Sequence, residues 1–178
     1  MGNFVEPFLR SLVLGGIVTV LVATMSVSAA MAFRQRFKGS TVLFYLSIAS
    51  LIVPSILISL GLGVMFQVMK WPTRWYSSGL GAHLTWTLPI AFLIMLGIFN
   101  RFNPSYEEAA RDLGASDTKT FWEIVLPLIA PSLVGVSLLT FTLSYDEFTR
   151  TSLVSGQYNT LPLEIFGRSE EHTSELQS

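Results

Sequence analysis

Four long runs without a single Asp, Glu, Lys or Arg constrain this chain more than any other feature. They cover 23 residues between Arg10 and Arg34, 31 between Lys38 and Lys70, 26 between Arg74 and Arg101, and 22 between Glu123 and Asp146. A hydrocarbon core about 30 Å thick needs roughly 20 helical residues to cross it. Soluble helices keep charge on an outer face, and a chain of 178 residues is too small to bury four that lack one. Only 13% of the residues are charged, against about 25% in ordinary globular domains. The reading is an all-α polytopic membrane helical bundle with four transmembrane helices, over residues 9–33, 42–69, 80–100 and 127–149. The absence of cysteine excludes a disulfide scaffold, and a formal net charge of −1 excludes a basic nucleic-acid binder.

Charge also orients the bundle. Arg34, Arg36 and Lys38 crowd the connector after the first span, and such clusters mark the cytoplasmic side. Alternation then places the 70–79 loop outside and the 101–126 loop inside. Trp71, Trp75 and Tyr76 supply the amphipathic rings expected at the outer headgroup belt. Pro54, Pro89 and Pro131 fall within apolar runs. They read either as kinks lining a translocation path or as ordinary kinks among packed spans. Small residues at helical spacing, Gly15, Thr19 and Ala23 among them, point to close helix packing.

The last eleven residues, 168–178, break with this pattern. RSEEHTSELQS is polar apart from Leu176 and resembles the translation of a sequencing-adapter read-through, a scar to be set aside from fold reasoning. It holds three glutamates and one arginine, so without it the formal net charge moves from −1 to +1. Residues 1–167 are then expected to be a fragment of a longer membrane protein.

The inner loop carries most of the chemical information. RFNPSYEEAARDLGASDTKTFWEIVLP, from Arg101 to Pro127, is polar and rich in helix signals. Asn103 can cap a helix with Pro104 at its first position, and Ser105 with Glu108 offers an alternative capping box. Glu107 and Glu108 favour the first turn, Gly114 a left-handed stop, and Ser116 or Asp117 a restart.

This loop resembles the signature of permease subunits of bacterial ATP-binding-cassette importers: Glu-Ala-Ala, three residues, Gly, nine residues, Ile, one residue, Leu-Pro. Glu108, Ala109, Ala110, Gly114, Ile124, Leu126 and Pro127 stand at those spacings. The resemblance implies a coupling helix seated in a cleft of a cytoplasmic ATPase. Glu107, Glu108 and Asp112 are expected to pair with bases of that partner, and Arg111 with an acid. It also implies a second permease subunit, identical or homologous, an extracytoplasmic binding protein, and a multi-pass place in the bacterial inner membrane with lipid around it. No nucleic acid is implied. The chain contains no phosphate-cradling G-x-x-x-x-G-K-[S/T] segment, so ATP belongs to the partner. With no cofactor, metal or catalytic residue to assign, the chain reads as a transport subunit and not an enzyme.

FTLSYDEF at 141–148 and the following TSLVSGQYNTLPLEIFG extend the resemblance to the spermidine/putrescine class, which implies that residues 1–167 are an importer permease transmembrane domain lacking its first and last helices. Tyr145, Asp146 and Glu147 are the candidate substrate path, since carboxylates at membrane depth are costly and a polyamine is a polycation. The competing reading pairs both acids with Arg150. Two other functions stay open on the residues alone: an ion-coupled secondary transporter, and a non-transporting anchor or sensor.

Overall fold

The computed structural model describes residues 4–35, 37–154 and 159–177, the last seven as backbone only. Arg36 of the basic connector and residues 155–158 of the glycine-containing segment lie outside the described residues. Among those described, every regular element is a helix. They are α1 (Val5–Arg34), α2 (Ser40–Ile52), α3 (Ser55–Val68), α4 (Leu80–Asn100), α5 (Ser105–Asp112), α6 (Asp117–Thr120), α7 (Leu126–Tyr145), α8 (Thr149–Val154) and α9 (Leu161–Gln177). Single π turns, Trp75–Gly79 and Phe121–Val125, lead into α4 and α7.

Three continuous helical stretches are long and apolar enough to cross a membrane: Val5–Arg34, Trp75–Asn100 and Asp117–Tyr145. The second expected span, 42–69, is not one straight helix. It breaks into α2 and α3 with a bend of 104°. The cause is Pro54, which drives its predecessor out of the helical region. Val53 is extended at φ −66°, ψ 129°, and Pro54 itself follows at ψ 131°. Pro89 and Pro131 leave α4 and α7 unbroken. The difference lies in packing: α4 and α7 each press along α1, whereas α2 has no buried residue to hold it straight. The fourth span is also shifted. Its helix runs from Asp117 and stops at Tyr145, so Asp146 and Glu147 lie in a break before α8.

α1 is the centre of the bundle, with α4 and α7 along its sides. Leu14, Val18, Val22 and Ala30 form its buried stripe against Ala91, Met95 and Phe99 of α4 and Ile129 and Val136 of α7. The four-residue spacing lays one α1 face inward, while Val13, Ile17 and Val20 face outward. An exterior this apolar fits lipid and not water. Gly15 lets α1 and α7 approach closely, because a Cβ there would meet the Phe141 ring at 3.1 Å. The chain therefore has two ends. One gathers the tail of α1 with the loop carrying α5 and α6. The other gathers the start of α4 with the end of α7 and α8.

Candidate coupling loop and a polar cluster at the opposite end

The loop folds as its residues dictate. Asn103 Oδ1 accepts the Ser105 N–H at 3.1 Å, which caps α5, and the alternative box from Ser105 to Glu108 does not form. Gly114 ends the helix at φ +83°. Its N–H donates to the Arg111 carbonyl at 2.8 Å and the Ala115 N–H to that of Ala110 at 3.0 Å, the paired bonds of a Schellman stop. Ser116 Oγ then accepts the Lys119 N–H at 3.3 Å and starts α6. From there the helix continues into α7 through a π turn in which the Leu126 N–H donates to the Phe121 carbonyl. Pro127, with no N–H to give, follows in the first turn of α7. Ile124 and Leu126 are half-buried along this stretch, and Pro127 is exposed.

The acids of the loop divide sharply. Glu107 is the one buried residue of α5 and accepts a two-pronged ion pair from Arg34, at 2.8 and 2.6 Å. The Arg34 guanidinium also lies over the rings of Phe99 and Phe102, at 5.6 and 5.4 Å from their centroids. Glu107 is thus turned into the bundle, whereas the sequence pointed it at a partner. Arg111 donates to Asp117 within the loop at 3.0 Å, an exposed pair. Glu108, Ala109 and Asp112 are exposed, and Ala110 is half-buried. Tyr106, Leu113 and Trp122 project apolar surface from the same loop, Leu113 at 90% exposure. A polar loop holding out isolated apolar side chains is a surface that another protein can cover.

At the opposite end, the structure assembles a buried polar cluster. His83 on α4 hydrogen-bonds through Nδ1 to Ser144 Oγ at 2.7 Å and through Nε2 to Thr151 Oγ1 at 2.9 Å, tying together α4, α7 and α8. Ser78 Oγ donates to the Val154 carbonyl beside it. Glu147 caps α8 by accepting the Arg150 N–H at 2.9 Å and faces the same arginine's Nε at 3.8 Å. The Arg150 guanidinium donates to Thr85 Oγ1 at 3.0 Å and lies 5.4 Å over the Trp86 ring. Burial holds this guanidinium below its ordinary pKa, with Glu147 pulling the other way. So the Arg150 pairing read from the sequence holds for Glu147. Asp146 instead is exposed and lines a cavity of about 420 Å³ with Tyr145, Phe148, Leu161 and Phe166. Tyr145 stacks on Phe141 at 5.8 Å.

Sequence reasoning missed two organising residues. Arg34 was legible only as an orienting charge, since its partner lies 73 residues away. His83 gave a usable signal: an imidazole in an uncharged run must find polar partners or remain expensively unsatisfied.

Residues 11–169 match the family described as "Binding-protein-dependent transport system inner membrane component". The chain belongs to this family. It is accordingly a multi-pass inner-membrane member of a family of transport-system components. Among relatives of this family member is the spermidine/putrescine transport system permease protein PotC homolog of Mycoplasma genitalium. It is 30% identical over 172 residues, which cover 92% of this chain and 59% of the relative. The spermidine/putrescine transport system permease protein PotC of Haemophilus influenzae is 34% identical over 149 residues, 83% of this chain and 58% of the relative. The putrescine transport system permease protein PotI of Escherichia coli K12 is 34% identical over 142 residues, 74% and 49% of the two chains. The family member thus spans about half to three-fifths of the length of these curated relatives.

Proposed function

We propose that this chain is a permease subunit of an ATP-driven importer, in which residues 104–123 form the surface that engages a cytoplasmic ATPase. The observation that carries the reading is the loop itself. Its signature residues build a short helix stopped at Gly114, with Glu108, Ala109 and Asp112 turned outward and Leu113 fully presented. ATP-driven closure of two ATPase subunits moves this loop, and the spans alternate between outward- and inward-facing states. A second permease subunit completes the path, and an extracytoplasmic binding protein delivers the solute. ATP is bound by the partner and no cofactor by this chain.

The substrate we propose is a polyamine such as spermidine or putrescine, which three relatives carry in their names. Asp146 beside Tyr145 and Phe148 offers a carboxylate and aromatic faces, the chemistry that receives an alkylammonium. Glu147 supports it indirectly, by holding Arg150 away from the solute. The test is uptake of labelled spermidine into proteoliposomes containing the permease, its ATPase and its binding protein. Uptake that requires ATP, and is lost in Glu108→Lys and Gly114→Pro although both insert normally, supports the reading. Uptake driven by an ion gradient without any ATPase gives the chain to the secondary-transporter class. No uptake with every partner present leaves an anchor or sensor.

A further inference from the structure

We propose that the Arg34–Glu107 pair is the joint that carries movement of the coupling loop into the bundle, making Glu107 a positioning residue of the transport cycle and not a docking residue. The inference rests on the reading of the loop as an ATPase-engaging surface. It begins with two adjacent acids. Glu107 and Glu108 differ by about 100° around the helix axis, and they part accordingly. Glu108, the acid of the importer signature, is exposed, and among the described residues it makes no ion pair. Glu107 is buried at 8% exposure and is held from both oxygens.

The attachment matters because α5 has little else to hold it. Its other packing is against α6 and the π turn of its own loop, with the Tyr106 ring edge-on to Phe102 at 6.2 Å, an apolar contact that can slide where an ion pair cannot. The Arg34 fork removes that freedom. Arg34 stands in the last turn of α1, the helix along which both α4 and α7 pack. The Phe99 and Phe102 rings flank its guanidinium, fixing it also to the end of α4. A planar guanidinium gripping a carboxylate at two points resists rotation as well as separation, which a lysine point charge does not. Displacement of α5 is thereby delivered to the central helix in a defined direction.

The experiment uses a spin label on Ser105→Cys, an exposed site on α5 in a chain with no other cysteine, within the full transporter in liposomes. Glu107→Gln is expected to raise the label's mobility and to lower ATP-driven spermidine uptake at least tenfold, while the ATPase subunit still copurifies. Arg34→Lys, which keeps the charge and loses the fork, is expected to fall between. The exchange Arg34→Glu with Glu107→Arg is expected to recover both signals in part. Unchanged mobility and uptake in Glu107→Gln and Arg34→Lys would overturn the joint. So would loss of the ATPase with unchanged mobility, because Glu107 would then be a docking residue. If the parent protein shows no ATP-driven uptake, the importer reading fails, and label mobility alone decides the joint.

Discussion

The bundle carries an arginine–glutamate pair at each end, and the two are built differently. Arg34 and Glu107 meet across 73 residues in a two-pronged contact of 2.8 and 2.6 Å between separate elements. Arg150 and Glu147 stand three residues apart, touch at 3.8 Å through Nε, and serve first to cap a six-residue helix. Both guanidiniums rest on aromatic rings, so the chemistry is shared and the mechanics are not. At the loop end the pair is the attachment. At the opposite end the attachment is His83, and the ion pair is an accessory to it. A buried charge pair thus acquires structural weight from the sequence distance it spans more than from its own Coulomb energy.

Four single substitutions, two of them extended to double mutants, test that contrast. Arg34→Met should have the largest effect, because it strands Glu107 in a mostly buried site. Its side chain keeps 11% exposure and that of Arg34 keeps 23%, so the loss is expected at about 3 kcal/mol, the low end for a broken buried pair. Adding Glu107→Leu should return most of it, since well-packed apolar pairs replace buried ion pairs at little cost. Denaturant unfolding in detergent measures both. His83→Ala should follow at about 2 kcal/mol, from two lost hydrogen bonds and a stranded Ser144 hydroxyl, while Thr151 keeps its bond to the Glu147 carbonyl. Hydrogen exchange should then report faster opening of α8 with the loop end unaffected. Glu147→Gln is expected to reach only about 1 kcal/mol, because an amide oxygen still accepts the Arg150 N–H. If it matched Arg34→Met, the contrast between the two ends would collapse. Arg111→Ala breaks only the exposed pair with Asp117, and a double-mutant cycle with Asp117→Ala should find less than about 0.5 kcal/mol.

The legible parts of this fold were those governed by short-range chemistry. Asn103, Gly114 and Ser116 announce a cap, a stop and a restart because each acts on amides within a few residues. The uncharged runs announce helices because hydrocarbon leaves the backbone no other partner. Pro54 marks the limit of such reasoning. It sits in an apolar run much like those around Pro89 and Pro131, yet it alone breaks its helix. α1, the neighbour that holds α4 and α7 straight, comes from distant sequence, and α2 lies against α4 with no residue buried. The inward turn of Glu107 was hidden for the same reason. Nothing within the loop says that Arg34 waits beside it. Asp146 and Glu147 look alike as a pair, and only the stop of α7 at Tyr145 sends one to a cavity and the other to a cap.

The bond between Arg34 and Glu107 also fixes a parity. α1 brings the chain to one face of the membrane at Arg34, and by Glu107 the chain has returned to that same face. An even number of traverses must lie between them. α4 makes one. The bent pair α2–α3 must make the other, because a hairpin that dipped in and withdrew would leave the loop on the far side. Each arm, 13 and 14 residues, is only about 20 Å long and too short alone. The elbow at Pro54 is therefore a crossing made in two strokes.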